Sequence, residues 1–134
     1  MKKMLVLLVA IFIVRIPYTV HAATLDGKWA LKNCSVFMKV SDGKINSFTL
    51  GPDQIADAFY CAGVIQGIKD SLWKYQIYLS ESKTKPYVCL PANNIQNGQA
   101  VKILINYLHA HPQTLRNSIT LVTITALQDT FPCK

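Results

Sequence analysis

Gly51-Pro52-Asp53-Gln54-Ile55-Ala56-Asp57-Ala58-Phe59-Tyr60-Cys61-Ala62-Gly63-Val64-Ile65-Gln66-Gly67-Ile68-Lys69-Asp70-Ser71-Leu72 decides the fold, because an apolar helical period runs through it. Cys61, Val64, Ile65, Ile68 and Leu72 recur three and four positions apart, whereas Asp57, Gln66, Lys69 and Asp70 fall on other faces. Gly51-Pro52-Asp53 supplies the start, with proline where a helix tolerates it. Gly63 and Gly67 lie four apart in the middle, each costing about 1 kcal/mol of helix propensity relative to alanine. Two such costs on one face predict the close approach of another backbone. The plainer alternative is two tolerated weak points on the surface side.

Upstream, Thr24 to Cys34 predicts a short first helix that places Leu31 and Cys34 on one side, with Gly27 as its weak point. Ser41-Asp42-Gly43-Lys44 has turn chemistry. The flanking runs Val36 to Val40 and Ile45 to Leu50 read as irregular loop, with a hairpin as the alternative. Downstream of Trp73 and Tyr75, the polar stretch through Glu81, Lys83, Lys85 and Pro86 to Cys89-Leu90-Pro91 reads as a rigid loop. Asn94 or Asn97 is then placed to cap a third helix. Its core stripe is Val101, Leu104, Ile105 and Leu108, opposite Lys102, Asn106 and His109, and His111-Pro112 ends it. Ser118 to Asp129 has strand propensity in its β-branched residues. Ile124, Leu127 and Phe131 nevertheless keep helical spacing behind a capping Asn117 or Ser118, so a helix is expected there, apolar nearly all round and therefore central. The expected fold is all-α: one small domain, a bundle of about four helices.

The first 22 residues have a different purpose. Lys2 and Lys3 precede eleven apolar residues, Met4 to Val14, and Val20-His21-Ala22-Ala23 offers a cut site, the order of a secretory leader. A bilayer-spanning helix needs about 20 apolar residues, so the run is too short for a permanent anchor. Cleavage after Ala22 would leave residues 23–134 as the domain. It removes three of the 14 basic residues and none of the seven acidic ones, which lowers the net charge from +7 to +4. The remaining lysines are scattered, whereas a nucleic-acid binder concentrates its positive charge in a patch. Neither nucleic acid nor, after leader removal, a membrane is an expected partner.

Cys34, Cys61, Cys89 and Cys133 all lie beyond the leader, and an even number in a small exported chain reads as two disulfides. Three pairings are open. Cys34 with Cys61 and Cys89 with Cys133 is favoured, since each bond then joins a helical edge to the next unit. The wide spacings resemble no zinc site, and no metal or cofactor is expected. His109 and His111, two apart, do not share a helical face. No pair of carboxylates falls in a catalytic pattern, and Asn33-Cys34-Ser35 matches a glycosylation triplet by chance. Asp70 is placed to cap or pair with a neighbouring loop. The chain is therefore not expected to be an enzyme, and a cell-envelope hydrolase is the least favoured reading.

The run Cys61 to Asp70, then Cys89-Leu90-Pro91 with Gly98-Gln99, Tyr107-Leu108 with His111-Pro112, and Ala126-Leu127 with Phe131-Pro132-Cys133, resembles the signature of the Rap1a/Tai immunity family. The resemblance covers most of residues 23–134 in order. It departs at Val64, where the family usually carries tyrosine, and in a slightly long segment between Leu90 and Gly98. What it implies is a small periplasmic helical protein that binds and occludes a cell-wall amidase toxin delivered by type VI secretion, and that pairs as a homodimer. Cys61, Gly63, Gly67, Cys89, Pro91 and Cys133, together with Asp70 and Pro132, would then be structural. Recognition of the secreted amidase-like effector would fall to the loops Asp42 to Phe48 and Lys74 to Tyr87. Asp42 and the aromatic residues Phe48, Trp73, Tyr75, Tyr78 and Tyr87 are the candidate contacts, about half of the aromatics completing the core instead. The alternative is a periplasmic stress or chaperone-like protein without a dedicated toxin.

Overall fold

The computed structural model describes residues 25–134. The leader and its cut site after Ala22 lie outside the described residues. Four α-helices follow one another: α1, Gly27–Ser41; α2, Pro52–Glu81; α3, Asn97–Ala110; and α4, Ile119–Thr130. Short 3₁₀ turns at Ser47–Thr49 and Pro112–Arg116 sit in the connections. Among the described residues there is no strand, only one isolated antiparallel bridge between Asp26 and Ser118.

α1 begins where Asp26 Oδ1 accepts a hydrogen bond from Trp29 N at 2.8 Å. It runs seven residues beyond Cys34, so Val36 to Val40 is helix rather than loop or hairpin. The reason is tertiary. Phe37 and Met38 pack against the core, and Phe37 meets Phe59 of α2 edge to face with centroids 5.6 Å apart. That burial outweighs the small strand preference of the valines. The expected turn does stop the helix, with Gly43 in the left-handed region at φ 69°.

α2 starts as expected at Gly51-Pro52 but continues nine residues past Leu72. No glycine or proline interrupts the chain before Pro86, and Leu79 is buried. The helix is 30 residues long, hence about 45 Å. Its inward seam is Ala58, Cys61, Ala62, Ile65, Lys69 and Leu79. Lys69, assigned to another face by its charge, is only 5% exposed. Val64, Ile68 and Leu72 are half-buried, because the apolar arc is wider than the core it covers.

Neither asparagine caps α3. Its N-cap is Gln96, without a side-chain bond. Asn97 Nδ2 instead donates to Ala62 O at 3.1 Å, fastening the start of α3 to α2. The expected stripe is kept: Val101, Leu104 and Leu108 are buried and Ile105 half-buried, while Lys102, Asn106 and His109 are exposed. α4 is helical, capped by Ser118 Oγ accepting from Leu121 N. It is not buried all round, however. Ile119, Val122, Thr123, Ala126 and Leu127 face inward, and Leu121 is 52% exposed. The centre is shared, with Ile65, Leu104, Leu108 and Leu127 as its largest fully buried aliphatic side chains.

Close backbone approach occurs at Gly27, not at Gly63 or Gly67. A Cβ on Gly27 would lie 2.9 Å from Leu108 Cδ2 and 3.1 Å from Leu115 Cα, so the start of α1 fits only a glycine. Gly27 N donates to Asn117 O at 2.9 Å, and Ile119 N to Leu25 O at 2.7 Å, which locks the entry of α1 to the entry of α4. At Gly63 and Gly67 a Cβ would meet nothing within 4 Å.

Both disulfides are formed. Cys34–Cys61 joins α1 to α2 inside the core, with Cα atoms 5.4 Å apart and both residues fully buried. Cys89–Cys133 joins the α2–α3 loop to the chain end, with Cα atoms 5.1 Å apart. There Cys89 N also donates to Phe131 O at 3.0 Å.

Candidate interaction surface

The six expected contact residues form two groups rather than one patch. Asp42 and Phe48 belong to the α1–α2 connection. Tyr75 and Tyr78 lie near the other end of α2, and Tyr87 lies in the loop beyond it. Along α2 the groups are about 40 Å apart, more than one standard interface readily spans. Trp73 is half-buried against the core, with Lys74 Nζ 4.7 Å from its ring centroid. Lys74 to Glu81 is helix, so of the expected loop Lys74 to Tyr87 only residues 82–87 lie in the connection between α2 and α3.

That connection is held firmly at its base. Gln76 Nε2 donates to Leu90 O at 2.9 Å, and Leu90 N donates to Gln76 Oε1 at 2.7 Å, so one side chain satisfies both backbone groups of a buried residue. Val88 is buried beside it, Thr84 N donates to Leu79 O at 3.0 Å, and Cys89 is covalently fixed. Above this base Ser82 to Lys85 are exposed, and Tyr87 is 74% exposed. The loop is thus a tethered protrusion carrying Lys83, Lys85 and one outward aromatic ring. Pro91 and Pro132, flanking this disulfide's cysteines, are exposed.

Asp70 fastens the far side of the same connection. Its carboxylate accepts from Lys69 Nζ at 2.6 Å and from Asn94 Nδ2 at 3.0 Å. Asn94 adopts the left-handed conformation, φ 60°, that its contacts require. The Lys69 hydrogen bond holds the Asp70 carboxyl below the ordinary carboxylate range; desolvation opposes this, while Asn94, the Lys69 charge and Gln66 assist. Asp70→Asn is expected to cost about 1–2 kcal/mol, less than breaking a fully enclosed pair, because the aspartate side is open to water. A folded-state pKa below the unfolded value stabilises at neutral pH, and that contribution disappears as pH falls below about 4. Urea unfolding at pH 7 and pH 3 should therefore show a larger difference between variant and wild type at the first pH than at the second, where protonation of Asp70 has begun to remove its contribution.

A second exposed feature runs beside α2. Residues at helical spacing from Gly63 to Tyr75 face Thr120 and Ile124 of α4 across an open, apolar groove of about 680 Å³. The sequence did hold a signal for it, since Val64, Ile68 and Leu72 make the arc broader than one neighbour can cover. Phe59 and Tyr60, both about half exposed, extend this apolar character toward the start of α2.

Chemistry of the other polar residues is local. His111 Nδ1 lies 3.0 Å from Tyr107 O, and its ring stacks on Tyr107 with centroids 4.2 Å apart. Among the described residues no cluster of His, Cys, Asp or Glu could hold a metal ion, and no helix is long and apolar enough to cross a membrane.

Fold and surface together define a small helical protein cross-linked by two disulfides, whose outward features are a tethered loop and an apolar helix face. The family model for Rap1a immunity proteins matches residues 26–133, and the chain belongs to that family. Immunity proteins of this family are inhibitors rather than enzymes, and membership implies a toxin effector as partner. No curated protein and no solved structure matches the chain.

Proposed function

We propose that the protein acts in the periplasm, where it binds a cell-wall amidase toxin delivered by type VI secretion and covers its active cleft. The observation that carries this reading is the loop above the Gln76–Leu90 pair, because inhibition without chemistry needs a surface already rigid before contact. Ordering a flexible loop on binding costs affinity, and a covalently and hydrogen-bonded base avoids much of that cost. Tyr87 is the anchor, a large amphipathic ring of the kind that dominates interface energies. Lys83 and Lys85 steer it toward an acidic cleft rim. Tyr78, one turn from the end of α2, widens the contact toward a standard interface of about 1,600 Å² in total.

The test is protection. Cells receiving each secreted amidase encoded beside this gene are scored for survival with and without the exported protein, and complexes are isolated from the same cells. Survival that depends on the protein, together with a stable complex, is the expected outcome. Lysis unaffected by its presence, or equal binding to many unfolded clients, contradicts the proposal.

A further inference from the structure

We propose that Cys89–Cys133 is a reducible clasp on the Tyr87 loop: a dithiol reductant opens it in the folded protein and loosens the loop's grip on the toxin, while Cys34–Cys61 stays closed. This rests on the reading of that loop as the toxin contact, and it gives the contact a control.

The two disulfides differ in what a reductant can reach. Thiol–disulfide exchange needs a thiolate to attack one sulfur of the bond, so access sets the order of reduction. Cys34 and Cys61 are fully buried in the core cluster with Ala30 and Ile65. A reductant meets them only when α1 leaves α2. Cys89 and Cys133 are both partly exposed. Cys89 sits between buried Val88 and Leu90, whereas Pro132 and Lys134 on either side of Cys133 are exposed. The Cys133 sulfur is therefore the one open to attack. Attack there breaks the Sγ–Sγ bond and expels Cys89 as a thiolate, which takes up a proton. The second thiol of the reductant then displaces Cys133 from the mixed disulfide, and Cys133 is protonated in turn. The reductant ends as a disulfide, having given up two electrons and two protons.

What each bond holds is also unequal. Among the described residues no backbone hydrogen bond involves Pro132, Cys133 or Lys134, so past Phe131 the disulfide is the fastening. Reduction leaves the loop base with the bond from Cys89 N to Phe131 O, at 3.0 Å, and with the Gln76 pair. The core keeps its own disulfide and its helix packing, and opening at the base needs only local unfolding. Tyr87 is two positions from Cys89. A looser base is thus felt directly at the anchor, and ordering it again on binding costs affinity.

Limited reduction of the purified, fully oxidised protein tests the clasp. Samples in dithiothreitol are quenched with iodoacetamide at intervals and mapped by mass spectrometry. Cys89 and Cys133 should be labelled at least about tenfold sooner than Cys34 and Cys61. At that stage the helical circular dichroism should be unchanged, and trypsin should cut after Lys83 several-fold faster than in the oxidised form. Affinity for the amidase proposed as partner should fall about tenfold or more. A Cys89→Ser/Cys133→Ser variant should bind as weakly and no longer respond to dithiothreitol, which separates the clasp from any effect of alkylation. Labelling of all four cysteines together, unchanged cleavage at Lys83, or equal affinity of the oxidised and reduced forms overturns the proposal. An amidase that binds neither form overturns the occlusion reading instead, and the labelling order and cleavage at Lys83 then still decide whether the clasp opens.

Discussion

Replacing Cys34 and Cys61 together by alanine is expected to lower the unfolding free energy by about 4–5 kcal/mol. The bond closes a loop of 27 positions, and loop-closure entropy for that length is about 3.5 kcal/mol. Both residues are fully buried in the core cluster, so loss of the sulfurs adds a small cavity at about 1 kcal/mol. For a domain whose total stability is about 5–15 kcal/mol, this removes a large share. Urea titration at pH 7 measures it directly. Cys89–Cys133 closes a longer loop, but its half-exposed ends would leave no comparable cavity, so its removal should harm the tethered loop more than the core. A Cys34/Cys61 double variant within 1 kcal/mol of wild type would show that helix packing alone holds α1 on α2.

The second large effect concerns binding. Tyr87→Ala should weaken the complex with the toxin by about 30- to 150-fold, the 2–3 kcal/mol associated with a central aromatic anchor. Its own stability should change by less than about 0.5 kcal/mol, because the ring is already in water. Gln76→Ala separates preorganisation from contact. It touches no partner in the proposed complex, yet it strips both backbone groups of buried Leu90 of their bonds, which should cost about 1–2 kcal/mol of stability. Calorimetric titration should then show several-fold weaker binding, with an entropy loss larger than that of wild type as the loosened loop is ordered.

Much of this molecule was legible as a string of residues where local chemistry decides the outcome. Gly51-Pro52 announces α2, Ser118 caps α4, and the stripe Val101, Leu104, Leu108 is the face that α3 buries. Failures fall where contacts distant in sequence take over. α1 outlasts its expected end because Phe37 finds Phe59, and α2 outlasts Leu72 because Leu79 and Gln76 find the returning loop. Lys69 contradicts its own polarity because Asp70, itself held by Asn94, meets its ammonium at the core edge. The two mid-helix glycines were read as sites of tight packing, whereas Gly27, which looked like a flaw in the first helix, is the tight contact. A pattern of small residues shows that something can approach; only the placement of Leu108 and the Pro112–Arg116 turn shows where something does. The groove was hidden for the same reason, as the breadth of an apolar arc does not say which part of it a neighbour leaves bare.

Inhibition by simple occupancy has a signature that no catalytic or client-holding role shares. Purified protein is titrated into a fixed amount of the amidase proposed as its partner, and cleavage of peptidoglycan cross-bridges is followed at each ratio. Occlusion requires activity to fall in proportion to added protein and to vanish near one binding site per toxin molecule, with Tyr87→Ala shifting the curve far to the right. Cleavage that continues undiminished in the presence of excess folded, disulfide-bonded protein would contradict it.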